Sequence, residues 1–188
     1  MDDHNTERRE YFRVDDIAKF TLEKITDKDT LESLSQKNTS FLLGSLIATL
    51  DLDHQTVISK IKRTDPDTAI YLDVINHKIN LISNYILEND PSISTQEASN
   101  INLSASGIAV KSSNDFSEED LIAVKLVLLP ELIGILCIGC ITRIEKKATS
   151  TIIHIDFTDI SDADQEIIIK HNMTKQLEQA RAKNDDYI

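Results

Sequence analysis

Between residues 93 and 160 the chain reads as one short strand after another, and that succession limits the possible folds more than any other feature. ISTQEASNINLS, GIAVKSS, LIAVKLVLL, ILCIGCITRIEKK and STIIHIDFTDI are five strand-forming runs, several of them alternating apolar with polar, separated by turn-compatible residues. A sixth run, from Tyr11 to Ile25, sets Phe12, Val14, Phe20 and Leu22 between polar residues. Six short strands suit a closed barrel, because closure removes the unpaired edges that an open sheet must protect. The most apolar window, residues 121–141, is broken by Lys125, Pro130 and Glu131, and is two buried strands joined by a turn at Pro130-Glu131 rather than a membrane span. In the last run Ile153, Ile155 and Phe157 share one face and His154 and Asp156 the other, which makes His154 an exposed strand residue.

The strand pattern is interrupted early. Residues 26–90 have helical spacing, with Asp29 or Thr30, Thr39 and Asp53 as candidate caps. The clearest start is Asp65-Pro66, an N-cap acceptor followed by proline at the first helical position, where its missing N–H costs nothing. It predicts a helix from about Pro66 to about Glu88, roughly 34 Å long. Within it Leu72, Ile75, Ile79, Ile82 and Ile86 recur at heptad spacing, flanked by Ile70, Val74, Leu81 and Tyr85. This stripe either joins copies of the chain or packs on the earlier helices through Phe41, Leu42, Leu46, Leu50, Val57 and Ile61. Its apolar content, greater than a short hairpin needs, favours a homo-oligomer through residues 66–88. From Ser161 the chain turns helical again: Ser161 and Asp164 resemble a capping box, and Ile168, Met173, Leu177 and Ala180 form a stripe facing the body.

Composition excludes several functions. A formal net charge of −12 repels nucleic acid and anionic membranes, so an anionic ligand must be captured locally. The acidic N-terminus has no apolar run after a basic start, which predicts a cytoplasmic protein without a membrane span. Cys137 and Cys140 form a Cys-x-x-Cys, but on a strand residues three apart point to opposite faces, so the thiols share neither a disulfide nor a metal. The histidines have no metal-ligand spacing, and no phosphate loop or nucleophile motif occurs. No enzyme, metal or cofactor is indicated.

Two short stretches carry the candidate chemistry. The chain has fourteen lysines against six arginines, yet three of the arginines, Arg8, Arg9 and Arg13, precede the first lysine. Beside Glu7, Glu10, Asp15 and Asp16 such a cluster is ordinarily a solvated ion-pair network. Farther on, Asn102-Leu-Ser104-Ala-Ser106-Gly107 lies between two strands and offers an amide, hydroxyls and a glycine able to take positive φ, as any strand connection does.

Together the two stretches resemble the PilZ family of cyclic di-GMP receptors, whose signature is Arg-x-x-x-Arg in an N-terminal arm followed by Asp/Asn-x-Ser-x-x-Gly on a barrel. Arg9 and Arg13 match the first element and Asn102, Ser104 and Gly107 the second, without substitution. The resemblance implies a mainly β fold, a six-stranded antiparallel β-barrel with a C-terminal helix, here carrying an inserted α-helical block (α+β overall). It divides the chain into an arm and first strand at 1–25, an insertion at 26–92, the remaining barrel and helix at 93–180, and a flexible tail at 181–188. Ordinary members have a much shorter connection between the motifs.

The resemblance further implies a binding site for cyclic di-GMP formed by Arg8, Arg9, Arg13, Asn102, Ser104 and Gly107. Guanidinium forks can bond guanine O6 and N7, pair with phosphate and stack on purines, which lysine does less well. By the same resemblance Arg8, immediately before the motif, is associated with a stacked pair of ligands. Arg143 either adds to the pocket or pairs on the strand surface with Glu145 or Asp156. The implied function is a receptor that passes the signal to a protein effector without catalysis. The alternative is an oligomeric scaffold whose barrel is structural.

Overall fold

The computed structural model describes residues 12–26, 28–147 and 150–185. Its elements in chain order are β1 (Val14–Lys24), α1 (Leu31–Lys37), α2 (Leu43–Asp53), α3 (Gln55–Thr64), α4 (Pro66–Glu88), β2 (Ser99–Ser104), β3 (Gly107–Ser112), β4 (Leu121–Leu128), β5 (Ile133–Lys147), β6 (Ser150–Asp159) and α5 (Asp162–Asp185). The six strands close into an antiparallel barrel in the order β1-β2-β3-β6-β5-β4. Alternation dictates the interior: Ala18, Leu103, Ile108, Val124, Leu126, Ile135, Ile141 and Ile155 are completely buried inside it. Its turn at 129–132 sets Leu132 at φ 58°, in the left-handed region.

The helices between β1 and β2 do not float beside the barrel. Phe41 and Leu42, with Leu87 at the end of α4 and Ile93 after it, form a second buried cluster with Val127 and Leu136. Those two side chains lie on the outer wall of β4 and β5, so this hairpin is buried on both faces and its sequence is apolar without a clean alternation. Phe41 comes so close to β5 that only glycine fits opposite it: a Cβ on Gly134 would run into the Phe41 carbonyl and ring. Lys125 adds a cation 5.7 Å from the centre of that ring.

Local signals explain the helix ends in part. Thr30 and Ser33 cap α1 reciprocally. The Asp65 carboxylate accepts from the hydroxyl and backbone N–H of Thr68, and these bonds hold it below the usual carboxylate range, which fixes the start of α4 at Pro66. Thr39 and Asp53 cap nothing, because α2 begins after Leu42 and α3 after His54, neither with a side-chain cap. The turn before α2 is positioned instead by the burial of Phe41 and Leu42.

The expected stripe on α5 is also corrected. Ile168 is buried, but Met173 and Leu177 are both 59% exposed, and Ala180 is exposed as well. The inward face sets Ile167 and Ile168, buried in the barrel cluster, beside polar residues that meet barrel carbonyls. Gln165 donates to the Ala105 carbonyl, Asn172 to that of Leu103 and Gln179 to that of Asp15. His171 and Lys175 meet the buried carboxylate of Asp16 at 2.7 Å and 3.5 Å, and Glu131 stands 3.5 Å from the other imidazole nitrogen. At the other end of α5, burial raises the Asp164 carboxyl above its ordinary range, against hydrogen bonds from Ser161 and from Ser45 of α2.

The stripe on α4 divides. Leu72, Ile75 and Ile86 are half-buried, whereas Ile79 is 42% and Ile82 61% exposed. Ala69, Ser83 and Leu87 are its buried positions. Outward lie Ile70, Tyr71, Val74, Leu81 and Tyr85, with Leu46 and Leu50 of α2 and Val57 of α3 also exposed.

The Phe41 contact yields a stability prediction. Phe41→Ala removes a buried ring and should cost about 3–5 kcal/mol in urea unfolding. Gly134→Ala should destabilise as well, by overpacking at about 1–3 kcal/mol, whereas Gln36→Ala, at an exposed position of α1, should change little.

Candidate functional site

A broad concavity lies on the outer wall of the barrel, between its strands and α5. Asp15, Asp16 and Ile17 of β1, Asn100 and Asn102 of β2, Ala109 and Lys111 of β3, Ile152 and His154 of β6 and Glu145 of β5 line a groove of about 760 Å³. Lys175, Glu178 and Gln179 of α5 form its far side. Strand alternation produces this lining: Asp15 faces Asn102 across β1–β2, Asn102 faces Ala109 across β2–β3, and Ala109 faces His154 across β3–β6. One outward row thus runs across four strands.

The groove joins the two sequence stretches. Arg13, just before β1, directs Nη1 at the Asn102 carboxamide oxygen at 3.5 Å, and the Asn102 amide donates to Asp15 Oδ1 at 2.7 Å. The arginine stretch and the Asn-x-Ser-x-x-Gly stretch, 89 positions apart, therefore meet at Asn102. Arg8 and Arg9 lie outside the described residues.

The turn between β2 and β3 works differently from the sequence expectation. Ser104 is fully buried, and its hydroxyl donates to the Gly107 carbonyl and lies within hydrogen-bond distance of Ser106 Oγ, both at 3.2 Å. It braces the turn. No glycine among the described residues has positive φ. Gly107 is required by the neighbouring strand: a Cβ there would lie 2.5 Å from the Ile155 carbonyl oxygen and 3.2 Å from Asp156 Oδ1. The close approach that demands glycine is that of β6.

Arg143 stands on β5 beside a register shift and pairs with Glu145 at 2.8 Å. The surface ion pair is therefore the arrangement seen. Glu145 Oε1 also meets His154 Nε2 at 3.1 Å. Glu145, His154 and Lys111 are groove residues that the sequence did not single out. Strand alternation gave the outward face of His154, but only the pairing of β6 with β3 shows that this face belongs to the same wall as Asn102.

Thiol chemistry has no support here, since burial pushes the Cys137 thiol far up and Cys140 lies half-buried on the other face. Among the described residues no cluster of His, Cys, Asp or Glu could hold a metal, and no helix is long and apolar enough to cross a membrane.

Ser104→Ala should lower stability by about 1 kcal/mol through loss of the bond that closes the turn, measured by thermal unfolding without ligand. A variant as stable as the parent would show that the hydroxyl does not brace the turn.

Comparison with known proteins gives the same architecture a wider setting. Residues 81–173 match the family model of the PilZ domain, from the end of α4 into α5 and without β1. Among solved structures the chain is similar to a pathogenic protein from Xanthomonas campestris, described as a tetrameric PilZ domain self-assembled via an unusual helical bundle. The two share 12% identity over 91% of this chain and 89% of that one, with a TM-score of 0.59. The Bacillus subtilis inhibitor of motility is similar at 13% identity over 92% of this chain and 52% of that one, with a TM-score of 0.49. No curated protein matches the chain.

Proposed function

Because this chain carries a PilZ domain, we propose that it is a receptor for cyclic di-GMP that captures the dinucleotide in the groove beside Asn102 and signals to a protein partner. The observation that carries the reading is the meeting of Arg13 with Asn102 at the end of that groove. The signature positions Arg9, Arg13, Asn102, Ser104 and Gly107 are all intact. Arg8, Arg9 and Arg13 supply cations for two phosphodiesters and forks for guanine O6 and N7. Asn102 supplies an amide, and Ser104 and Gly107 act by holding the β2–β3 turn against β6. Ordering of the arm on the ligand is the switch, and the reading includes no catalysis.

Calorimetric titration tests it. Cyclic di-GMP should bind, and cyclic di-AMP should bind at least tenfold more weakly, because adenine presents an amino donor where guanine has O6, at about 1–3 kcal/mol per lost bidentate contact. Arg9→Ala and Arg13→Ala should each weaken binding. The parent should take two ligands per chain and Arg8→Leu fewer, since a second stacked dianion needs a further cation. Absence of heat with folded protein, or equal affinity for the two dinucleotides, would refute the assignment.

The insertion supports assembly, the feature also favoured by the scaffold reading. The apolar side chains of α4 left outward by the fold, Ile70, Val74, Leu81, Ile82 and Tyr85 among them, suit a helix of a second copy. The Xanthomonas protein is described as assembling through helices. Light scattering should give a multimer that Ile82→Lys or Leu81→Lys disperses while ligand binding persists. A monomer at every concentration would reject assembly through this face.

A further inference from the structure

The groove described above has an unfavourable charge for the ligand assigned to it. Four carboxylates line it, Asp15, Asp16, Glu145 and Glu178, against two lysines, Lys111 and Lys175. Asp16 is matched by Lys175 and His171 at the edge, and Arg143 is engaged with Glu145. Asp15 and Glu178 remain beside Lys111, with Arg13 reaching the row at Asn102. A cyclic dinucleotide brings two further negative charges into a chain whose overall field already repels it. Each cation the wall can produce therefore matters.

His154 is the one histidine among the groove-lining residues. It is half-buried in the outward row that runs from Asp15 through Asn102 and Ala109. Nε2 is 3.1 Å from Glu145 Oε1, whereas Nδ1 has no hydrogen-bond partner among the described residues. A protonated imidazole donates from both nitrogens, so Nε2 can stay on Glu145 while Nδ1 is offered to an acceptor in the groove. The charged groups around it are Arg143 and Glu145 on β5, Lys111 on β3, Asp156 on its own strand, Asp15 on β1, and Lys175 and Glu178 on α5. Imidazole is the side chain whose charge ordinarily changes between pH 5 and 8.

We propose that His154 is a further ligand-binding residue, which contacts the dinucleotide phosphate as an imidazolium and makes binding conditional on uptake of a proton. The proposal rests on the receptor reading. Proton and ligand help each other by the same factor, because binding linkage is reciprocal. The imidazolium adds one positive charge beside a dianion, so affinity is highest at low pH and falls as the proton leaves. A PilZ domain built this way reads cyclic di-GMP and acidity together, and responds to a given ligand concentration more strongly in an acidified cell.

Titration calorimetry with cyclic di-GMP at pH 6, 7 and 8, in buffers of differing ionisation heat, tests this. The parent protein should bind about tenfold more weakly at pH 8 than at pH 6, with net proton uptake on binding. His154→Gln should bind as weakly at pH 6 as the parent does at pH 8, with little dependence on pH. His154→Arg, a permanent cation, should keep tight binding at pH 8. His77→Gln on α4 should retain the parental slope. Parental affinity that ignores pH, or a slope that survives in His154→Gln and so belongs to another group such as His171, overturns the proposal. Failure of the folded parent to bind at any pH overturns the receptor reading together with this inference.

Discussion

The burial of Phe41 against Gly134 is the contact on which the arrangement of the molecule depends. A barrel of six short strands has an interior of its own, but residues between β1 and β2 must leave the sheet and return to it. Phe41 and Leu42 hold that excursion to the outer wall of β4 and β5, with Leu87 and Ile93 closing over them. The contact is specific because it needs a missing side chain: any Cβ at 134 would displace the ring. It also fixes which wall of the barrel is covered, leaving the opposite wall of β1, β2, β3 and β6 open for the groove.

A second constraint joins the groove to α5. Asp15 and Asp16 are adjacent on β1 and point to opposite sides of it. Asp15 bonds Asn102 in the groove, and Asp16 is buried against His171 and Lys175 of the helix. The Asp15 carbonyl also accepts from Gln179. A shift of β1 that followed the arm would therefore be felt at α5. Buried ion pairs of this kind contribute to register more dependably than to net stability, because desolvation offsets much of the attraction. Met173 and Leu177, exposed on the outer side of the same helix, lie next to any such movement.

Polar residues serve the fold in ways that local pattern does not show. Ser104 braces the β2–β3 turn and Gly107 admits the neighbouring strand β6, structural roles beside the one the motif implies. The stripe on α5 looked apolar because Met173 and Leu177 fall at helical spacing, yet the wall under that helix presents carbonyl oxygens. Asn172, Gln165 and Gln179 satisfy them. Hydrophobic periodicity anticipates Ile168 but not the polar part of the docking face, since it assumes that what a helix covers is oil-like.

By itself the sequence determined the number of the strands and their places along the chain, the start of α4 at Asp65-Pro66 and the pairing of an arginine stretch with Asn-x-Ser-x-x-Gly. Each of these rests on local physics: alternation, a cap, a proline at the first turn, and the few residue types a motif tolerates. Only the tertiary structure decided that Arg13 meets Asn102, that Glu145 and His154 stand on the same wall, and which residues of the α4 stripe face outward. Those facts depend on strand order and on where Phe41 anchors the insertion. Strand pairing between distant segments is set by closure of the barrel, and no local pattern in the chain encodes which outward rows become neighbours.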